Sequence, residues 1–115
     1  MATTTDRDLI TRAALDYFEG WFDGDPERMD RALHPELVKR DGGDEFDAMT
    51  KAEMVEATRR GQGRRDTGRE VEVDVVDIHG PIASAVVRSV PYREYLHLVR
   101  TNDGWKIANT LYTRS

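Results

Sequence analysis

YFEGWFDGDPERMDRALHPELVKR, running from Tyr17 to Arg40, holds the end of one helix, the whole of a second and the start of a strand. Tyr17, Phe18 and Trp21 continue an apolar stripe begun by Leu9, Ile10, Ala13 and Ala14, while Asp6, Arg7, Arg12, Asp16 and Glu19 fall mostly off it. That spacing predicts an amphipathic helix over residues 6–23. Thr5 caps it, with Asp8 near the positive end of the helix dipole, and Gly24 terminates it. Asp25 as N-cap and Pro26 at the first helical position open a shorter helix that buries Met29, Ala32 and Leu33. His34-Pro35 ends it, because a residue before proline is pushed out of the α region, and Glu36 to Asp41 run extended until Gly42, Gly43 and Asp44 break the strand.

Thr50 and Glu53 have the spacing of a capping box, so a third helix starts there, turns Met54, Val55 and Thr58 inward and stops near Gly61. The segment GQGRRDTG, Gly61 to Gly68, is glycine-broken and polar and reads as a mobile connection or a solvated surface loop. After it the period changes to two. Val71, Val73 and Val75 alternate with Glu70, Glu72 and Asp74, and a change of parity near Asp77 predicts a β-bulge. Strands follow at about 82–89, 92–101 and 105–113. Helices followed by an antiparallel meander give an α+β layout with the helices on one face of the sheet. Leu96 and Leu98 oppose Tyr95, His97 and Val99 in parity, so this strand is apolar on both sides. A sheet with one face in water disfavours that, which predicts a homodimer through the sheet.

A chain of 115 residues with 38% hydrophobic and 34% charged residues supports one domain, residues 1–115, with one core. The net charge of −5 argues against nucleic acid as a partner. With no cysteine, thiolate chemistry and disulfides are excluded and a cytoplasmic setting is expected. No apolar run approaches the roughly 20 residues of a membrane span, and the first residues lack the basic and apolar regions of an export signal. Three scattered histidines, without HxH or HExxH spacing, predict no metal site. P-loop, GxSxG and dinucleotide fingerprints are missing too, so no cofactor is expected.

Tyr17 to Arg40, together with YLHLVRTNDGWKIANTLY (Tyr95 to Tyr112), resembles the nuclear transport factor 2-like superfamily, and within it the branch labelled "putative lumazine-binding". The resemblance spans essentially the whole chain. It implies a cone-shaped fold, three N-terminal helices wrapped by a curved antiparallel sheet around a cavity of small-molecule size. Superfamily members include ketosteroid isomerase-like proton shuttles, polyketide cyclases, dehydratase-like lyases, epoxide hydrolases, transport factors and plain ligand binders, so the fold alone fixes no activity. Tyr17 resembles the helix-1 tyrosine of the ketosteroid isomerase pattern, and Asp41 falls at or within a residue of its general-base aspartate. Where that pattern has a second acid, Arg88 or nearby apolar residues stand here.

The candidate working groups are Tyr17, Asp41 and His97. Tyr17 would donate a hydrogen bond to a bound carbonyl or enolate, or is an ordinary core tyrosine. Asp41 is a general base or the start of a solvated turn. His97 suits acid or base work near neutral pH. A three-residue Asn102-Asp103-Gly104 loop sets His97 opposite Asn109, whereas a two-residue Asp103-Gly104 loop sets Leu98 there. Trp105, Ile107, Asn109 and Leu111 then share one strand face, making Asn109 a polar group among apolar ones and the leading pocket residue. Trp21, Met54, Tyr95 and Trp105 are candidate lining, or simply core. His34 either reaches the cavity mouth or caps helix 2. Lys39 and Arg40 would hold an anion at the entrance, beside a basic cluster of Arg59, Arg60, Arg64, Arg65 and Arg69. The combined expectation is a domain for a small hydrophobic or aromatic molecule, with cofactor-independent isomerase, cyclase or lyase chemistry or with none. The alternative is a filled cone serving dimerisation or partner docking.

Overall fold

The structure is a computed structural model describing residues 4–43 and 45–115; Asp44, expected to help end the first strand, lies outside the described residues. Helix α1, Asp6–Asp23, starts at the anticipated Thr5 cap, and the structure makes it a full capping box, with Thr5 Oγ1 accepting from the Asp8 amide at 3.1 Å and Asp8 returning the contact to the Thr5 amide. Gly24, left-handed at φ 66°, closes it. Helix α2, Pro26–Ala32, is capped by Asp25, whose Oδ1 accepts from the Arg28 amide at 3.2 Å. Helix α3, Lys51–Arg59, is capped by the Thr50 and Glu53 pair and buries Met54, Ala57 and Thr58, with Val55 only half-buried. Leu9, placed on the buried stripe by its spacing, is exposed.

Among the described residues six strands form one sheet: β1 (Leu33–Asp41), β2 (Ala48–Met49), β3 (Val71–His79), β4 (Ile82–Ser89), β5 (Tyr92–Thr101) and β6 (Gly104–Arg114), in the order β2-β1-β6-β5-β4-β3. All neighbours are antiparallel except β1 and β6, which run parallel. The sheet is therefore mixed. The two-residue edge strand β2 carries too little pattern to be visible in the sequence.

The extended chain begins at Leu33, earlier than expected, and His34-Pro35 lies inside β1. Proline is accommodated because β1 leaves its register with β6 between Leu33 and Val38, so no ladder bond is asked of it. His34 does not cap α2. Its Nδ1 accepts from the Glu36 amide at 3.0 Å, while the Leu33 amide makes the closing bond to the Asp30 carbonyl.

In β3 the register shifts between Val75 and Asp77, placing the bulge at Val76, next to the expected site. A second bulge was not foreseen. Thr101 pairs with Gly104, so the β5–β6 turn is the two residues Asn102-Asp103, and Ala108 is then extra, restoring His97 to a position opposite Asn109. The pairing holds, but neither proposed loop produces it. Ala108 also reverses the parity of β6: Trp105 and Ile107 point into the core, whereas Asn109 and Leu111 point away from the helices.

The core lies between the helices and the inner sheet face, from Ile10, Ala14, Phe18 and Phe22 on α1 to Val87, Leu96 and Ile107 on the strands. The loop after α3 is packed against α1. The Arg65 amide donates to the Phe22 carbonyl at 3.3 Å, and a Cβ on Gly63 would sit 2.2 Å from the Trp21 ring, so only glycine fits under that indole. None of the described helices is long and apolar enough to cross a membrane.

Candidate functional site

Inside the cone, α1 presents Tyr17, β1 presents Lys39 and β5 presents Glu94, each on the inward parity of its element. Tyr17 Oη donates to Glu94 Oε2 at 2.6 Å and accepts a hydrogen bond from Lys39 Nζ, which itself lies 3.7 Å from Glu94 Oε2. Tyr17 is 2%, Glu94 1% and Lys39 9% exposed, so a full ion pair bridged by a phenol has been taken out of water. Three rings surround the ammonium, with Tyr112 at 4.3 Å, Tyr17 at 5.0 Å and Trp21 at 5.9 Å from Nζ to centroid. These contacts replace part of its lost hydration. Thr110 Oγ1 is buried close enough to Tyr17 to hold its phenol down slightly, yet makes no hydrogen bond of good geometry among the described residues.

Burial sets the electrostatics. It drives the Tyr17 phenol well above its ordinary range, and the neighbouring Glu94 carboxylate adds to the effect. Burial also pulls Lys39 down, opposed by the charge and hydrogen bond of Glu94. At the rim, burial and then Asp41 raise Tyr112, whose hydroxyl donates to Asp41 Oδ2 at 3.4 Å.

Packing leaves a space of only about 10 Å³ between Tyr17, Phe18, Trp21, Lys39, Tyr92 and Glu94. That is barely room for one water. Lys39 also lines a rim groove of about 410 Å³, formed with Asp41, Asp47, Met49, Glu53 and Tyr112. The ammonium-bearing side chain thus separates a tight interior from a groove whose volume suits a small ligand.

The candidate polar groups Tyr17, Asp41, His97 and Asn109 do not meet around one space. Tyr17 is interior. Asp41 sits in the rim groove, where its Oδ1 accepts from the Gly43 amide at 2.7 Å, so it combines the solvated turn with a place at the entrance. His97 and Asn109 face each other on the outer side of the sheet, in a depression of about 410 Å³ that also includes Asp77, His79 and Ser84. Asn109 leaves the inner face because of the bulge at Ala108, and His97 because Glu94, Leu96 and Leu98 take the inward parity of β5. Tyr95 is 50% exposed on that outer face. Met54 and Trp105 are core, the indole N–H of Trp105 donating to Asp6 Oδ1 at 3.1 Å. Trp21 does line the interior space. His34 borders a separate surface depression with Lys51 and Lys106. Arg40 stacks over Phe46 at 4.8 Å, away from Lys39. The basic cluster is dispersed into ion pairs, Arg59 and Arg60 with Glu56 and Arg69 with Asp23. No group of three or more His, Cys, Asp or Glu side chains placed to hold a metal occurs among the described residues.

Glu94, Thr110 and Tyr112 were missed, and Lys39 was noticed only as an entrance charge. The signal for Glu94 was present, since Glu94, Leu96 and Leu98 alternate with Arg93, Tyr95 and His97. A carboxylate keeping step with two leucines is an inward one.

A family model described as "Putative lumazine-binding" matches residues 5–113. A nuclear transport factor 2-like protein of unknown function from Silicibacter pomeroyi superposes with a TM-score of 0.78 at 14% identity, covering 100% of both chains. One from Shewanella baltica gives 0.75 at 14% identity, over 100% of this chain and 98% of that one. A ketosteroid isomerase-like protein from Erwinia carotovora atroseptica gives 0.71 at 18% identity, over 92% and 93%. No curated protein matches the sequence. At these identities the structural likenesses establish the cone fold.

Proposed function

The chain belongs to the family described as "Putative lumazine-binding", with the nuclear transport factor 2-like cone fold, and from that premise we propose that it binds a small planar molecule carrying a carbonyl or carboxylate. The ligand enters by the rim groove and places its polar head against Lys39 and Tyr17. The observation that carries this reading is the buried Lys39–Glu94 pair bridged by Tyr17. A buried ion pair is a poor way to stabilise a core, because hydrophobic replacements of similar volume are often as stable or more so. A site that must meet a polar ligand head out of water is a reason to keep one. The orphaned Thr110 hydroxyl offers a further hydrogen bond to the same head.

A bicyclic pteridine, which the family name suggests, exceeds the space of about 10 Å³ beside Tyr17. Its ring would lie in the groove, over Tyr112 and Met49, with only its carbonyl edge directed at Lys39. Acid/base turnover of isomerase, cyclase or lyase type is the finer form of the proposal, with Tyr17 and Glu94 as proton carriers and Asp41 as a base at the entrance. The test is a screen of planar carbonyl and carboxylate compounds followed through the Trp21 indole N–H resonance. Lys39→Met is expected to weaken any hit by tenfold or more, on the order of 1.4 kcal/mol. Equal affinity in the variant would sink the reading.

A second reading, a homodimer through the outer sheet face, is supported by one row across five strands. Asp74, Val86, Tyr95, Leu111 and Arg40 are register partners in succession, acid at one edge, base at the other and apolar side chains between. A two-fold axis parallel to the strands lays the acidic edge of one copy over the basic edge of the other. Size-exclusion chromatography with light scattering tests it, and a monomer at micromolar concentration would exclude it.

A further inference from the structure

We infer that Lys39 is a carbonyl-capturing amine, forming an imine through Nζ with an aldehyde or ketone that enters by the rim groove. The inference rests on the ligand site proposed above and specifies what happens there. Three lysines occur in the chain. Lys51 and Lys106 have ordinary surface roles, donating to the Leu33 and Arg31 carbonyls at 3.1 and 2.7 Å. Lys39 alone is buried among rings, at the boundary between the interior and the groove.

An ammonium is not a nucleophile, and the three-residue chain supplies the deprotonation without an outside base. Lys39 donates to the Tyr17 oxygen, and Tyr17 donates to Glu94. Shifting one proton along each link converts Lys39 ammonium, Tyr17 phenol and Glu94 carboxylate into Lys39 amine, Tyr17 phenol and Glu94 carboxylic acid. No charge is created in the low-dielectric interior, and a separated pair is removed. Burial, which disfavours the charged lysine, acts in the same direction.

The amine nitrogen then attacks the carbonyl carbon, a C–N bond forms and the carbonyl π pair moves to oxygen. A proton passes from nitrogen to that oxygen to give the carbinolamine. Glu94 returns its stored proton to the hydroxyl through Tyr17, the C–O bond breaks and water departs, leaving a protonated imine beside the regenerated carboxylate. Amine protons and carbonyl oxygen leave together as that water, and no oxidant or reductant is consumed. The iminium cation inherits the place of the ammonium beside Glu94 and the three rings.

The test uses glyoxylate, a small aldehyde carrying a carboxylate, on the intact protein at neutral pH, with sodium cyanoborohydride as trap and peptide mapping as readout. Label is expected on Lys39 with at least about tenfold preference over Lys51 and Lys106. A Lys51→Arg/Lys106→Arg variant, which leaves the site untouched, should keep both the adduct and the glyoxylate-induced shift of the Trp21 indole resonance, and Tyr17→Phe should slow adduct formation. If glyoxylate shifts that resonance but the label is spread evenly over the lysines, the imine is overturned and the binding site stands. If there is neither a shift nor a Lys39 adduct, both fail.

Discussion

Tyr17 and Glu94, separated by 77 positions in the chain, meet inside the cone through a hydroxyl donating to a carboxylate at 2.6 Å. Lys39 donates to the same hydroxyl, so removing that one oxygen takes a hydrogen-bond partner from both charges and leaves them only their direct approach at 3.7 Å. Tyr17→Phe keeps the ring that packs edge-on against Phe18 and is expected to cost about 1–3 kcal/mol, the penalty of buried groups left unsatisfied. Urea unfolding measures it; a loss under a few tenths of a kcal/mol would mean that the bridge is not formed in solution.

Lys39→Met and Glu94→Leu each strand one member of the pair, and each is expected to destabilise by about 3–5 kcal/mol. The double variant Lys39→Met/Glu94→Leu should recover most of that loss. If it recovers stability while losing every ligand found for the wild type, the pair serves binding. Failure to recover in a thermodynamic cycle would show that the core depends on the charges themselves.

Alkaline pH separates Tyr17 from Lys39 by sign. The Tyr17 value is raised by burial and by Glu94, so its contribution is fully present below the unfolded phenol value of about 10 and drains away as pH rises toward the folded one. Lys39 is lowered, so the unfolded chain binds more protons below the ordinary lysine value, and the cost of burying it shrinks as pH climbs toward that value. Thermal unfolding is expected to show wild-type stability falling above about pH 10, with a shallower fall in Tyr17→Phe. A part of the fall should persist in the variant, because Tyr112 is raised as well.

Gly63→Ala puts a carbon 2.2 Å from the Trp21 ring and forces the indole or the loop to move. Overpacking of this kind typically costs about 1–3 kcal/mol. Because Trp21 lines the interior space, the variant should also shift tryptophan emission, which near-identical spectra would contradict.

The outer face is probed at Tyr95, half exposed and flanked by Val86 and Leu111 in the sheet. Tyr95→Lys is expected to convert a dimer to monomer with unchanged circular dichroism, read by sedimentation velocity. A persisting dimer would place the interface elsewhere.

Where local chemistry acts alone, the sequence was readable. Thr5 with Asp8, Asp25 with Pro26 and Thr50 with Glu53 mark helix starts whose determinants lie within four residues, and all three appear as expected. Strand faces were less legible, because facing is set by pairing between distant segments and one extra residue inverts it. Ala108 shows this: nothing in WKIANTLY announces a bulge, yet it moves Asn109 from the inside of the cone to the outside. The site was obscured for a related reason. Lys39 looks like a surface charge in isolation, and Glu94, though its step with Leu96 and Leu98 turns it inward, gains its meaning only once β1 and β5 each face Tyr17.

The parallel pairing of β1 with β6 also sets a timetable for biosynthesis. Helices α1 and α2 can form as soon as they are made, but the strand that follows them has only the two residues of β2 as a partner until β6 is synthesised. At about 5–20 residues per second, that leaves a strand edge with unpaired backbone N–H and C=O groups waiting for several seconds on the ribosome. Chaperone dependence of this protein is therefore expected to concentrate in the first third of the chain, and mutations that slow β6 should lower yield more than their effect on final stability predicts.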